Sequence, residues 1–167
     1  QASLAEQAVK IGNILPNLRS VTLIGRVIGI SSKSITKHDE EEVRVSKMYL
    51  GDETGQCVVV LWREKAELPE LLSIKENDVV QVQGGYSKEG RFGTVEVHVG
   101  SFGTITKVQE SYNLPSSDTF FTSISEIPEK QTIINTKGII KRVSPQKGKL
   151  RRITVADEKS EIAVSLW

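Results

Sequence analysis

The last thirteen residues of this chain repeat a segment near its middle. Leu50 to Trp62 reads LGDETGQCVVVLW and Val155 to Trp167 reads VADEKSEIAVSLW, without a gap and at a constant offset of 105 residues. The Asp-Glu pair and three of the last four positions are identical. Because the repeats of solenoid proteins are about 20 to 50 residues long, this longer period indicates duplicated domains. Each position can therefore be compared between two copies.

The match continues upstream with a shorter loop in the second copy. Pro16 aligns with Pro128 and Gly25 with Gly138, and between that glycine and the acidic pair the first copy is eight residues longer. The predicted organisation is a complete domain with an N-terminal extension over 1–108, a polar linker over 109–123 and a partial second domain over 124–167. Because the second copy is short and the chain begins with Gln1, we expect a piece of a longer protein.

Short β-rich runs separated by Gly, Asp and Ser clusters predict a small β-barrel or sandwich. The predicted strands are 21–31, 43–50, 56–62, 79–86 and 93–99, the last extended by 104–108. Leucines at helical spacing and Pro69 predict a short helix within 63–75, and 3–11 is a further helix candidate. This order predicts an all-β fold, a five-stranded Greek-key barrel of the oligonucleotide/oligosaccharide-binding (OB) type with a short helix between strands 3 and 4. The N-terminal half of a second OB-fold would follow, and a small barrel without the helix is the alternative.

Alternation along the third strand separates a core face from an outer face, because successive side chains point in opposite directions. Cys57, Val59 and Leu61 match apolar residues in the second copy, so they are predicted to fill the barrel. On the other face, Trp62 aligns with Trp167, whereas the positions beside the indole are Ala and Ser in the second copy. A Trp on the outer face would be an exposed flat surface. The alternative is that the indole closes the barrel core.

The second strand gives the same division into two faces. Met48 and Leu50 are predicted to point inward, and Lys47 and Tyr49 outward. Lys47 aligns with Arg152, so a cation recurs on the face that carries the Trp. An exposed ring can stack on any base for about 1–3 kcal/mol, while nearby cations follow the phosphates. The outer face is therefore the predicted surface for single-stranded nucleic acid.

Three motifs give the chain a family resemblance. The segment 51–55 (GDETG) with the strand ending Leu61-Trp62, then 78–80 (DVV) and 84–86 (GGY), resembles the archaeal single-stranded-DNA-binding proteins of the replication protein A type. The similarity covers 17–108 and again 124–167. It implies tandem OB-folds that bind single-stranded DNA in replication, repair or recombination, with stacking aromatics also at Tyr86 and Phe92. Parity cannot place Tyr86 by itself, because a bulge at the two preceding glycines would switch its face.

The candidate binding residues combine aromatic rings with nearby cations. They are Trp62, Tyr86, Phe92, Lys47, Tyr49, Arg44, Lys33, Arg63, Lys88 and Arg91 in the first copy, and Arg152 and Trp167 in the second. A single cation is more often a solvated surface residue than a phosphate contact, so the prediction depends on Lys47 and on the whole set. The segment 137–152 supports it with seven Lys or Arg and no acid, whereas the run 39–42 (DEEE) would repel phosphate.

Other polar residues offer little chemistry. The recurring Asp52 and Glu53 are interpreted as a tight turn that the Asp side chain caps, with metal ligation or acid–base catalysis as the alternative. Cys57 is the single cysteine and becomes isoleucine in the second copy, so no nucleophile or ligand is expected there. His38 lies in the acidic loop, and His98 lies on the outward parity of strand five. Without a metal, phosphate-loop or triad motif, we expect no metal, no cofactor and no catalysis.

The function expected from these features is sequence-tolerant binding of single-stranded DNA by base stacking and phosphate contacts. The expected partners are single-stranded DNA and other OB-fold domains. A protein-interaction or oligomerisation module, which the DEEE run favours, is the main rival, and single-stranded RNA is not separable from DNA by sequence. The chain has no apolar run near the roughly 18 residues of a membrane span, and we expect no signal peptide. A single cysteine favours a reducing compartment, so we expect a cytoplasmic, nucleoid-associated prokaryotic protein.

The partial second copy raises a separate expectation. Three strands cannot close a barrel, so apolar residues such as Ile140 and Val164 would face an open edge. We expect residues beyond Trp167 to complete the barrel in the native protein, and self-association or docking through the incomplete barrel in this piece.

Overall fold

A computed structural model describes residues 8–31, 33–109, 113–130 and 132–167. They form two compact units, one ending at Thr119 and the other running from Phe120 to Trp167. No helix within these described ranges is long and apolar enough to cross a membrane.

The first unit is a closed β-barrel. Its strands are β1 (Val21–Ile30), β2 (Ser34–His38), β3 (Glu41–Asp52), β4 (Gly55–Trp62), β5 (Val79–Glu89), β6 (Val95–Val99) and β7 (Thr104–Val108). The sheet runs in the order β1-β3-β4-β6-β5, and β5 pairs back with β1 to close it. The β4–β6 pairing is parallel and the other pairings are antiparallel. This confirms the predicted OB barrel, with β6 and β7 as the two parts of its fifth strand.

The predicted helix lies between β4 and β5, but it is shorter than expected. It consists of a 3-10 turn, Arg63–Glu67, followed by one α-helical turn, α1 (Leu68–Leu71), in which Pro69 lies at the start. Proline fits there because the first helical N–H groups have no intrahelical partner. Further 3-10 turns span Ile11–Asn13, Arg91–Gly93, Ser117–Phe120 and Ile124–Glu126. The N-terminal helix candidate lies mostly outside the described residues, and 8–10 are not helical.

The barrel core contains the residues that strand parity places inside. Met48, Leu50, Val59 and Leu61 are fully buried, and Cys57 is 7% exposed. Burial raises the pKa of the Cys57 thiol to about 12, so it stays protonated and acts as a small apolar side chain. The remaining members of the cluster come from β1, β5, β6 and β7, from the N-terminal turn and its end, and from the segment between α1 and β5: Ile11, Ile14, Val21, Leu23, Val27, Ile74, Val80, Val82, Val97, Val99 and Ile105.

The segment expected to be a loop before the second strand is an ordered hairpin. Strand β2 pairs with the first residues of β3, from Ser34 opposite Val45 to His38 opposite Glu41. Asp39 and Glu40 form the two-residue turn with φ of 51° and 64°. Positive φ at both central residues is the geometry of a type I′ turn, which matches strand twist. The acidic run therefore lies at the tip of a β-hairpin.

A bulge in β5 decides the direction of Tyr86. Val80 and Val82 are fully buried, and unbroken alternation would place Tyr86 inside as well. The pairing with β1 gains one residue between Val82 and Gly85, and Gly84 has φ of 68°. The extra residue moves Tyr86 to the outer face, opposite His98 on β6. Strand β5 also continues to Glu89, three residues past the predicted end at 86, so the turn to β6 is 90–94.

Part of the expected linker is bound to the first unit. The Arg26 guanidinium donates to the carbonyl groups of Leu114 and Pro115, each at 3.0 Å. The Ser117 N–H donates to the Asn77 side chain, also at 3.0 Å. Residues 114–117 are thus held against the barrel by hydrogen bonds.

The second unit contains a three-stranded antiparallel sheet in the order β10-β9-β8. The strands are β8 (Ile139–Val143), β9 (Arg151–Ala156) and β10 (Glu161–Leu166). Its pairings repeat those of β1, β3 and β4, including an irregularity after Ile140 that matches the one after Val27. Gly138 abuts Val155 and Ala156 as Gly25 abuts Leu50 and Gly51, so a side chain at either glycine would meet the neighbouring strand.

The acidic turn has the same structure in both units. Asp52 accepts hydrogen bonds from the N–H groups of Thr54 and Gly55, and Asp157 from those of Lys159 and Ser160. Each aspartate also accepts one from the backbone of the preceding 3-10 turn, Asp52 from Ile11 at 2.8 Å and Asp157 from Ile124 at 3.0 Å. Those bonds lower the pKa of Asp157. The geometry confirms the turn interpretation and adds a role that sequence did not predict, the anchoring of the N-terminal turn.

Candidate nucleic-acid interface

One outer face of the barrel is a groove with aromatic residues along it. Strands β3, β4, β6 and β5 form its floor, and the β2–β3 hairpin forms one wall. A cavity of about 300 Å³ lies between the hairpin and β6, lined by Ser34, Thr36, Val45, Lys47, Val60, Trp62, Glu96 and His98. A second cavity of about 190 Å³ continues past Trp62 toward Tyr86 and Lys88.

Trp62 lies outside the barrel core, as strand parity predicts. The indole is half-buried and packs on a small apolar cluster of Val43, Val45 and Val60. Its N–H donates to Nδ1 of His98 at 2.9 Å. The ring is therefore fixed on one side by valines and at its edge by a hydrogen bond, which corrects the expectation of a freely exposed surface.

Four rings follow one another across the groove. The centroids of His38 and Trp62 are 5.4 Å apart, those of Trp62 and His98 5.9 Å, and those of His98 and Tyr86 5.3 Å. The planes of Trp62, His98 and Tyr86 differ by about 20° between neighbours. We call His38, Trp62, His98 and Tyr86 the aromatic row. Sequence reasoning assigned no role to the two histidines, although the outward parity of His98 was a usable signal.

His98 is held in a defined protonation state by its neighbours. Its side chain is 8% exposed, and Nε2 lies 3.2 Å from Oε1 of Glu96. Because an indole N–H can only donate, Nδ1 must accept and the proton of the neutral ring is on Nε2. Burial lowers the pKa of His98 from its usual 6.5, which outweighs the opposing effect of Glu96.

The predicted cations divide into two groups. Lys47 is exposed on the groove face, Lys88 lies 5.5 Å from the centre of the Tyr86 ring, and Arg63 borders the second cavity. Lys33 and Arg44 lie elsewhere, each with its charged group 2.7 Å from a Glu67 carboxylate oxygen, and Lys33 also reaches Glu70. Through these ion pairs Lys33 and Arg44 join the hairpin base to the helical turns.

The remaining candidates of the first unit flank the aromatic row. Tyr49 is half-buried on the outer face, opposite Val58. Arg91 and Phe92 lie in the turn between β5 and β6, where Phe92 is 57% exposed with φ of 55°. An exposed aromatic residue in the left-handed region is uncommon, and such outliers concentrate at functional sites.

The groove contains acids as well as cations. Glu96 lies on its floor beside His98, Glu64 borders the second cavity, and Glu41 pairs with Arg63 at 3.3 Å. The charge along the groove is therefore mixed. Within the described residues, no cluster of three or more His, Cys, Asp or Glu could hold a metal ion.

The second unit repeats part of this face. Ser144 binds the backbone of Arg152 on both its N–H and C=O sides, as Ser31 binds the backbone of Lys47. Arg152 is exposed, and Trp167 after β10 is 87% exposed. The two aligned cations thus occupy equivalent backbone positions.

Comparisons with known proteins agree with this architecture. No protein-family model matches the chain. The single-stranded DNA binding protein Ssb of Saccharolobus solfataricus is 32% identical over 120 residues, 72% of this chain and 72% of that protein. Replication factor A of Methanothermobacter thermautotrophicus is 25% identical over 97% of this chain, a match that spans 22% of that protein. The second OB-fold domain of replication protein A from Methanococcus maripaludis superposes with a TM-score of 0.51 and 28% identity, over 62% of this chain and 97% of that domain. The chain belongs to the family of the archaeal single-stranded DNA binding protein Ssb.

Proposed function

We propose that the chain binds single-stranded DNA with little sequence preference, by stacking bases on the aromatic row and placing the phosphates beside Lys47 and Lys88. The observation that carries the proposal is the position of Trp62 and Tyr86, on one outer face with a neutral ring between them. Every base has a π-face, so rings presented in this way accept any sequence. The family relationship supports the same ligand.

The proposal covers both units as tandem OB-type modules. Arg152 and Trp167 of the second unit would extend the binding surface that Lys47 and Trp62 provide in the first. Two linked sites gain affinity through effective concentration even when each binds modestly. The module would act without catalysis, in the cytoplasm with the nucleoid, beside other OB-fold domains.

A titration with a fluorescently labelled oligothymidylate tests the proposal. We expect Trp62→Ala to weaken binding by about 5- to 150-fold, which corresponds to about 1–3 kcal/mol for one stacked base. Leu71→Ala is the matched control, because Leu71 is 73% exposed on α1 and lines neither cavity of the groove. Circular dichroism checks that both variants fold. Equal affinity of Trp62→Ala and wild type would refute stacking at this site.

A protein-interaction module is the second candidate, and Glu41, Glu64 and Glu96 at the groove favour it. Duplex DNA and single-stranded RNA of equal length belong in the same titration. Binding of none of the three nucleic acids at low salt would favour the protein partner. Equal affinity for RNA and DNA would widen the ligand to single strands in general.

A further inference from the structure

The only ring of the aromatic row that is nearly inaccessible to a base is His98. Its side chain is 8% exposed, yet it contacts both rings that would stack on bases. It lies next to Tyr86 at 5.3 Å and accepts the indole N–H of Trp62 at 2.9 Å. A side chain in this position acts on the ligand through its neighbours.

We propose that neutral His98 is a positioning residue that fixes the Trp62 and Tyr86 rings as one stacking surface, so that protonation of His98 releases Trp62 and weakens binding of single-stranded DNA. This inference rests on the proposed function and adds a residue and a pH dependence to it.

The hydrogen-bond geometry supplies the reason. In the neutral ring Nδ1 has a lone pair for the indole N–H, and Nε2–H donates to Glu96. A protonated ring has N–H groups on both nitrogens, so Nδ1–H would meet the indole N–H donor to donor. Charge on His98 would therefore break its bond to Trp62 while keeping its bond to Glu96.

The surrounding charges act in opposite directions. Glu96, on the same strand as His98, favours the protonated ring, whereas Lys47 on β3 and Lys88 on β5 oppose it, and burial opposes it most. Trp62 on β4 is uncharged, and its indole N–H can only donate a hydrogen bond to His98. Because the pKa of His98 is lowered from 6.5, the ring is neutral at pH 7 and above, and the neutral form is lost as the pH falls through the lowered value.

Protonation of a histidine could also affect DNA binding in the opposite direction, and this makes the proposal testable. A cationic histidine next to a phosphate would strengthen DNA binding as the pH falls. A positioning role predicts the opposite sign, because the added charge lies between the two rings and disturbs the stacking surface. The direction of the pH dependence therefore separates the two roles.

The experiment follows binding of a labelled 12-nucleotide oligothymidylate from pH 8 to pH 5 at constant ionic strength. All samples carry His38→Gln, because His38 lies on the other side of Trp62 and its removal leaves His98 as the single histidine of the chain. We compare His98, His98→Asn and His98→Leu. Asn places an acceptor oxygen near the position of Nδ1 but cannot titrate, and Leu offers no acceptor.

With His98 present we expect affinity to fall about 5- to 10-fold between pH 8 and pH 5, the low end of the contribution of one stacked base. His98→Asn should hold its affinity across the range, and His98→Leu should be weak at every pH. The indole N–H signal of Trp62 in the free protein should shift with the titration of His98, while that of exposed Trp167 stays constant. Should His98→Leu fail to fold, the comparison with His98→Asn decides alone.

Three results would overturn the inference: pH-independent binding with His98 present, affinity that rises on acidification, or a Trp62 indole signal indifferent to pH. Tight but pH-independent binding refutes only the role of His98. Absence of binding at pH 8 refutes the proposed function together with it.

Discussion

Asp52 shows how one side chain can join two parts of the barrel. It is 3% exposed, and its carboxylate accepts hydrogen bonds from the N–H groups of Ile11, Thr54 and Gly55. The turn between β3 and β4 and the N-terminal 3-10 turn therefore share one anion. Asp157 repeats the arrangement, which explains why both copies keep this residue.

We expect Asp52→Ala to destabilise the first unit by about 2–3 kcal/mol, because the Ile11 N–H would be buried without its charged acceptor. Urea unfolding followed on the NMR signals of barrel residues measures the change. Glu53→Ala is the matched control, since Glu53 is exposed and pairs with Lys10 on the surface, where an ion pair contributes about 0–1 kcal/mol. Lost DNA binding at unchanged stability would contradict a purely structural role.

The elements differ in how far sequence alone could predict them. The faces of β3 and β4 follow from alternation compared between two copies, so Met48, Val59 and Trp62 are placed correctly. The β2–β3 hairpin was missed because its turn is Asp-Glu, whereas turns with two positive φ angles usually signal themselves with Asn-Gly or Gly.

The aromatic row depends on pairings between distant strands, which one sequence does not reveal. His98 lies between Trp62 and Tyr86 because β6 joins β4 in parallel and β5 in antiparallel register. The Tyr86 direction depends on a bulge whose position the two glycines only suggest. The ion pairs of Lys33 are hidden from sequence for a similar reason, since its partners Glu67 and Glu70 lie on helical turns far along the chain.

The two groups of cations give a prediction at the level of the hairpin. Lys47 faces the groove, whereas Lys33 is paired with two carboxylates of the helical turns, so we expect only Lys47→Gln to weaken DNA binding. Its slope of log affinity against log salt should fall by about 0.7, the contribution of one phosphate contact on a single strand. Lys33→Gln serves as the charge-matched control. Equal losses for the two variants would mean that net charge, not position, governs binding.

The whole molecule combines two copies that differ in what they present. The first carries the hairpin and a groove of mixed charge, whereas the second has a shorter loop within a segment of seven Lys or Arg and no acid. Ile139 and Ile140 of the second unit are 68% and 57% exposed. The second unit therefore offers a more positive segment and the first a better-defined row of rings, so under the proposed function the two would contribute different terms to the binding of one strand.

This division predicts a dependence on oligonucleotide length. Because one OB-fold covers about 4 to 16 nucleotides, an 8-nucleotide strand can be bound by one unit, whereas about 30 nucleotides can reach both. We expect Trp167→Ala to leave the affinity for the 8-mer within about twofold and to weaken the 30-mer by about 5-fold or more, the loss of one stacked base. Trp62→Ala should weaken both lengths. Anisotropy titrations of the two labelled strands measure these ratios at one salt concentration. Equal loss for both lengths in Trp167→Ala would place Trp167 on the same short binding site as Trp62 and contradict separate contributions from the two units.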